Sequence, residues 1–119
     1  IQAHAAAEHP REACGILLGR GNRIAEVRPC ANVHAEPEHH FEIDPQALID
    51  AHRAARGGGP EVIGYYHSHP HGLLWPSATD RAMAAGDGRI WIIAGGGHFT
   101  CWRDGAAGFS PLSCEIVVG

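Results

Sequence analysis

The segment with the clearest chemical potential is HSHPHGLLWPSATD, residues 67–80. His67 and His69 are spaced i, i+2, and because side chains alternate between the two faces of an extended backbone, both imidazoles point the same way. Asp80 follows eleven residues after His69 and can bring a carboxylate to the same ion. Two histidines and one acid leave a fourth position open, as in a catalytic zinc site and unlike a closed structural one. The pattern therefore predicts the site of a metallohydrolase.

Each part of this pattern also has a purely structural explanation. Ser77 and Asp80 form a capping box, with Ser at the N-cap and an acid three residues later, which by itself only begins a helix. His67 and His69 could be loop histidines whose hydrogen bonds are satisfied locally. A non-haem iron site also takes two histidines and one carboxylate, so the residue types alone do not choose the metal. The co-occurrence of these residues within fourteen positions is what favours a metal site.

Local patterns predict the elements that must position these residues. The apolar run 13–18 and the β-branched and aromatic run 61–67 predict buried strands, and the second delivers His67 to its end. Asp44-Pro45 predicts a helix start, and the glycines that follow Arg56 predict its end. Further predicted helices cover 1–8 and 77–85, further strands 24–29, 40–43, 89–94, 98–103 and 112–118, and turns 21–22, 95–97 and 104–105. The sum is an α+β fold, a mixed β-sheet with two or three helices packed against it, in a single domain over residues 1–119.

The composition is that of an ordinary globular domain and argues against two classes of partner. Apolar residues make up 45% of the chain, and the formal net charge is −4. All nine basic residues are arginines, scattered along the chain, so no nucleic-acid-binding surface is indicated. No apolar run approaches the ~20 residues that span a bilayer, and no secretory signal is visible. We expect a cytoplasmic protein with no nucleic-acid or membrane partner; the chain opens in mid-pattern at Ile1, which is compatible with a truncated native N-terminus.

The four cysteines do not have metal-binding spacing. Cys14, Cys30, Cys101 and Cys114 form no CxxC pair, and three of them lie in apolar segments. We expect buried, inert thiols in a reducing compartment, while a disulfide between two of the four stays open.

Two segments together resemble the JAMM (MPN+) metalloprotease family. They are EACGILLG at residues 12–19 and GYYHSHPHGLLWPSATD at residues 64–80, which match the family's glutamate before the first strand, then HxHP, then Ser-x-x-Asp. The order of the remaining elements, including FEIDPQAL at 41–48, extends the resemblance over essentially the whole chain. It implies a curved mixed sheet between helices, layered as in cytidine deaminases.

The resemblance also implies a role for each matching residue. His67, His69 and Asp80 would bind one Zn²⁺ per chain, with water as the fourth ligand. Such a water has a pKa near 7, and Glu12 would take its proton as general base and return it to the leaving amine. Ser77 would donate a hydrogen bond to the oxyanion. Every motif position carries the expected residue type, which disfavours the inactive members of the fold that serve as scaffolds.

The substrate predicted from the resemblance is the C-terminal Gly-Gly tail of a ubiquitin-like protein. Because the chain is short and its composition looks prokaryotic, we expect this protein to be a sulfur carrier in a bacterium. Hydrolysis would either trim residues beyond Gly-Gly or release an adduct from the carrier. Ser68 and Trp75 are candidate substrate contacts, although Ser68 should point away from the metal and Trp75 fits core packing equally well. Two other functions stay open: a non-catalytic MPN interaction module, and a zinc hydrolase of small amides.

Overall fold

The computed structural model describes residues 1–114. These residues form a mixed sheet with helices on both faces, which confirms the predicted α+β class. Within this range the helices are α1 (Gln2–Glu8), α2 (Pro45–Arg56) and α3 (Ala78–Met83), and the strands are β1 (Cys14–Arg20), β2 (Arg23–Cys30), β3 (Glu61–Ser68), β4 (Ile90–Gly95), β5 (His98–Gly105) and β6 (Gly108–Leu112). The strand order is β2-β1-β3-β4-β5-β6, and β3 and β4 are the parallel pair.

The burial of the strands follows from their places in the sheet. β1 and β4 are buried along nearly their whole length because they have a neighbour on each side and apolar residues on both faces, whereas the edge strand β2 is largely exposed. One face of the sheet contributes Ile16 and Leu18 to a core with Ala51 of α2. The other face contributes Leu17 and Tyr66 to a second core. Strand β3 therefore runs between two apolar layers and carries its last residues into the interior.

Gly64 allows β3 and β4 to approach as closely as they do. A Cβ atom at this position would overlap the carbonyl oxygen of Ile90, which is the residue paired with Gly64 in the parallel register. The backbone of β4 therefore takes the space that a side chain would need.

Three predictions about local structure need correction. The predicted strand 40–43 is only a single bridge between Asn32 and Ile43. The predicted turn at 104–105 is wrong, because both residues belong to β5 and the chain reverses between Gly105 and Gly108. The strand after this turn, β6, ends at Leu112, so the predicted strand 112–118 is wrong at 113–114, and residues 115–118 of that prediction lie outside the described residues.

The cysteines divide into one bonded pair and two thiols. Cys101 and Cys114 form a disulfide, so the expectation of free thiols is wrong for these two and the alternative left open applies. Cys14 is a buried thiol, as predicted, and Cys30 is a half-buried one. Across residues 1–114, none of the helices has the length and apolarity that crossing a membrane requires.

Candidate metal centre

The two histidines of the HxH pattern lie together at the carboxyl end of β3. The side chain of His67 is completely buried, and His69 is only 3% exposed to solvent. The backbone N–H of His69 donates to the carbonyl of Ala94, which continues the pairing with β4 past the last residue of β3. Their Nε2 atoms are 3.0 Å apart, so the i, i+2 spacing does place both imidazoles on one face.

Asp80 reaches both histidines from the first turn of α3. Its Oδ1 lies 3.1 Å from Nε2 of His67, and its Oδ2 lies 3.0 Å from Nε2 of His69. The capping box aims the carboxylate: the backbone N–H of Ser77 donates to Oδ2 at 2.8 Å, and the hydroxyl of Ser77 accepts from the backbone N–H of Asp80 at 3.0 Å. The helix-capping role of these residues and the predicted role of Asp80 at the metal site are therefore compatible, because the cap turns the Asp80 carboxylate towards the histidines.

Glu12 lies two residues before β1, the strand that pairs with β3. In the antiparallel register Cys14 is opposite His67, which brings a residue 55 positions upstream to the same end of the sheet. A carboxylate oxygen of Glu12 and one nitrogen from each of His67 and His69 all lie within 4.8 Å of one another. Glu12 is only 5% exposed. The carboxyl group is thus close to the histidines and largely withdrawn from water.

These side chains shift one another's protonation. Burial raises the pKa of the Glu12 carboxyl from 4.5 to about 7, while the charge of His69 opposes this shift and that of Asp80 adds to it. Burial lowers the pKa of His67 more than its bond to Asp80 raises it. The pKa of His69 is raised, since its hydrogen bond and ion pair with Asp80 outweigh burial. Against its own burial, hydrogen bonds from both histidines hold the pKa of Asp80 well below its usual range.

The donor groups of His67, His69 and Asp80 fit Zn²⁺. Zinc prefers imidazole nitrogen and carboxylate oxygen at 2.0–2.2 Å in a tetrahedral arrangement, in which neighbouring ligand atoms are about 3.3 Å apart. The two Nε2 atoms are 3.0 Å apart, and each lies 3.0 to 3.1 Å from a different oxygen of the Asp80 carboxylate, so the separations are close to those between zinc ligands. Nδ1 of His69 lies 2.8 Å from the carbonyl of Leu73, a bond that leaves Nε2 with a lone pair for a metal.

Ser68 and Trp75, the two candidate substrate contacts, have very different surroundings. The hydroxyl of Ser68 is buried and accepts from the backbone N–H of Ala13 at 2.8 Å, so it points away from the histidines and joins β3 to the segment that carries Glu12. Trp75 is 64% exposed in the loop before α3, so core packing is wrong for this residue. A substrate contact by either side chain stays a prediction.

Sequence reasoning missed Asn32, which holds Glu12 in place. The side-chain amide of Asn32 donates to the carbonyls of Glu12 at 3.0 Å and of His40 at 2.9 Å, and its oxygen accepts from the backbone N–H of Glu42 at 3.0 Å. The backbone N–H of Glu12 donates to the carbonyl of Pro37 in the same segment. An asparagine in a polar, irregular stretch is a signal for side-chain bonds to backbone, but not for which strand it binds.

A mixed sheet whose inner strand ends in two buried histidines, with a helix-capping aspartate and a buried glutamate beside them, brings together nitrogen and oxygen donors of the kind that can hold a metal ion. Residues 1–105 match the family described as prokaryotic homologs of the JAB domain, and the chain belongs to this family. The resemblance to the JAMM/MPN+ metalloproteases is thereby confirmed.

Several curated relatives and one solved structure are similar to the chain. The chain is 37% identical to a desampylase of Haloferax volcanii over 75% of this chain and 66% of the relative. It is 36% identical to the tail tip assembly protein K of Escherichia phage N15, over 88% of this chain and 38% of the relative. It is 38% identical to a probable TtuB-protein conjugate cleaving protease of Thermus thermophilus, over 66% of this chain and 53% of the relative. The chain thus spans two thirds or less of these relatives. The solution structure of a protein from Desulfitobacterium hafniense superposes with a TM-score of 0.79 at 28% identity, covering 92% of this chain and 81% of that one.

Proposed function

We propose that this domain is a zinc-dependent isopeptidase that hydrolyses the bond after the C-terminal Gly-Gly of a ubiquitin-like protein joined to another molecule. The observation that carries the proposal is the convergence of four side chains from three elements. The nitrogens of His67 and His69 and the carboxylate of Asp80 meet within 3.1 Å, and the Glu12 carboxyl lies within 4.8 Å of the histidines. The names of the relatives support the substrate class, since one is a desampylase and another cleaves TtuB–protein conjugates.

His67, His69 and Asp80 would hold the metal, and Glu12 would handle the proton. Bound Zn²⁺ supplies a Lewis acid and lowers the pKa of a coordinated water to about 7. Within the residues that the structure describes, no hydrogen bond joins the Glu12 carboxylate to either histidine, although all three groups lie within 4.8 Å of one another. A carboxyl whose pKa is raised to about 7 can accept a proton from water at neutral pH and then give it to the leaving amine.

Ser77 would bind the carbonyl oxygen of the substrate. Its hydroxyl oxygen already accepts the N–H of Asp80, which leaves the hydroxyl hydrogen free to donate. A donor that the helix cap holds in place stabilises developing negative charge without reorganising, and removing one such donor typically lowers kcat by ~10²–10³-fold.

The exposed apolar side chains of Leu73 and Trp75 are candidates for the wall of the tail-binding site. Both lie in the loop between β3 and α3, the loop whose Leu73 carbonyl bonds to His69, and they are 58% and 64% exposed. An extended tail gains affinity from main-chain hydrogen bonds and specificity from such side-chain contacts. Glycine has no side chain, so a Gly-Gly tail can approach the buried histidines closely.

The test uses the purified chain and three substrates followed by mass spectrometry. These are a ubiquitin-like carrier in an isopeptide conjugate, the same carrier with a C-terminal extension, and a panel of small amides. We expect cleavage after Gly-Gly in the first, with about one Zn²⁺ per chain by metal analysis. Glu12→Gln should keep the zinc and lose cleavage, whereas Asp80→Ala should lose both.

The three substrates also separate the alternatives. Cleavage of the extended carrier alone would identify a trimming enzyme, and turnover of small amides without a protein tail would identify a small-molecule hydrolase. Metal-free protein after purification without chelator, together with no cleavage of any of the three substrates, would refute the metallopeptidase proposal and leave the interaction module.

A further inference from the structure

The two histidines of the site are held in different ways. Nδ1 of His69 is hydrogen-bonded to the carbonyl of Leu73 at 2.8 Å. In contrast, Nδ1 of His67 is completely buried and has no hydrogen-bond partner within residues 1–114. Metal-binding histidines almost always donate this second nitrogen to a carboxylate, a carbonyl or a water, and that bond sets the plane of the ring. Something else must therefore set the plane of the His67 ring.

Two aromatic rings pack against the His67 imidazole. The Phe41 ring stacks on the imidazole with 4.4 Å between centroids and 16° between planes. Trp91 meets the imidazole edge-on, with centroids 5.6 Å apart at 90°. Phe41 and Trp91 also contact each other at 5.8 Å and 75°. All three side chains are at most 7% exposed, so these contacts restrict rotation of the imidazole on one face and one edge.

The backbone around Phe41 is anchored independently of this contact. Asn32 and Ile43 form a β-bridge on one side of Phe41, and the backbone N–H of Val33 donates to the carbonyl of Glu42 at 2.9 Å. The backbone that carries Phe41 is therefore held by contacts that do not involve His67.

We propose that Phe41 is a positioning residue for His67, whose stacked ring sets the imidazole plane that directs Nε2 towards Asp80 and His69. This inference rests on the proposed function, because it concerns one ligand of the proposed metal site. Without the stacked ring, the imidazole can rotate about its Cβ–Cγ bond and bring Nδ1 to a partner. Each such rotation takes Nε2 of His67 away from the Asp80 carboxylate and from Nε2 of His69.

The chain offers a matched control in Phe109. Its ring packs edge-on against Trp91 at 5.0 Å and 68°, in the same aromatic cluster, but forms no ring pair with His67 within the described range. Phe41→Leu and Phe109→Leu thus make the same chemical change, one directly on the imidazole and one behind the indole. Phe41→Tyr keeps a stacking ring and serves as the conservative variant.

The experiment measures Zn²⁺ affinity by competition with a chromophoric chelator and the absorption spectrum of the Co²⁺-loaded protein. Urea unfolding of the metal-free proteins gives the stability of each variant. An aromatic pair of this kind corresponds to about a 3- to 10-fold change in binding. We expect Phe41→Leu to weaken zinc binding by this factor and to change the Co²⁺ spectrum. Phe41→Tyr should restore both, and Phe109→Leu should change stability only.

Two outcomes overturn the inference. The first is wild-type zinc affinity and Co²⁺ spectrum in Phe41→Leu. The second is an equal loss of affinity in Phe109→Leu, which would mean that general core packing is responsible. If Phe41→Leu does not fold without metal, Phe41→Met, a flexible residue that fills irregular gaps, replaces it under the same criteria.

Failure of the proposed function gives a different result. In that case the wild-type protein binds no zinc at all, and the stacking is read in metal-free protein from the NMR shift of the His67 ring protons. Loss of the ring-current shift in Phe41→Leu but not in Phe109→Leu then supports the stack, and unchanged shifts refute it.

Discussion

The buried carboxyl of Glu12 should make the stability of the metal-free protein depend on pH in a defined direction. Its pKa is raised from 4.5 to about 7 because burial disfavours the charged form. Between these two values the folded chain holds a proton that the unfolded chain has released, so stability falls as pH rises through this window. Glu12→Gln removes the ionisation and keeps a side chain of similar size, and it should remove this part of the pH dependence.

The size of the effect follows from the shift. At about 1.4 kcal/mol per pH unit, the full shift corresponds to roughly 3 kcal/mol, which solvent screening reduces to about 2 kcal/mol. The free energy of unfolding of Glu12→Gln minus that of the wild type should therefore rise by about 2 kcal/mol from pH 4.5 to pH 7 and then level off. Near pH 4.5 both proteins carry a neutral group at this position.

Urea unfolding of chelator-treated protein at half-unit pH steps measures this difference. The comparison with the Gln variant cancels most of the contribution of His67, His69 and Asp80, which also titrate on folding. Glu38→Gln removes an exposed carboxylate and controls for the loss of one negative charge. Parallel curves for the wild type and Glu12→Gln, or a difference that shrinks as pH rises, would show that burial does not dominate at Glu12.

Three further substitutions test the packing and the substrate face. Ser68→Ala leaves the buried N–H of Ala13 without its partner and should lower the free energy of unfolding by about 1–3 kcal/mol in urea titrations, whereas Ser68→Thr, which keeps the hydroxyl, should lose less. Gly64→Ala should prevent close pairing with Ile90 and lower the thermal midpoint of unfolding. A destabilisation of about 1 kcal/mol lowers the midpoint by ~4 °C in a domain of this size, and we expect a decrease well above that. A midpoint like that of the wild type would contradict the clash. Trp75→Ala should raise the KM for a protein conjugate several-fold and leave the thermal midpoint unchanged, and an unaltered KM would remove Trp75 from the substrate site.

Local patterns predicted the elements whose signals agree with their tertiary surroundings. Helix α2 begins after Asp44, which caps it by accepting the backbone N–H of Gln46, and it ends at Arg56 before the glycines. The first strand is buried on both faces, as its continuous apolar run predicts. In these segments the local preference and the tertiary contacts favour the same conformation.

The Asp-Gly pair at 104–105 shows why other predictions failed. Asp-Gly is a strong turn signal when the aspartate is free to bond to its own backbone. Here the Asp104 carboxylate is buried and accepts the backbone N–H groups of Ala85 and Gly86, in the segment after α3. This distant contact keeps the pair in β5 and moves the turn towards Gly108, and nothing local to the pair indicates it.

The candidate site divides between sequence and structure in the same way. Residue types and spacing by themselves determined that His67 and His69 share a face and that Asp80 lies in a capped helical turn, because these relations depend only on strand and helix periodicity. Only the tertiary structure brought Glu12 to them, since the register of β1 against β3 joins residues 55 positions apart. The same packing withdrew its carboxyl from water and raised its pKa, and it stacked Phe41 on His67. Such contacts depend on long-range burial, which no local pattern specifies.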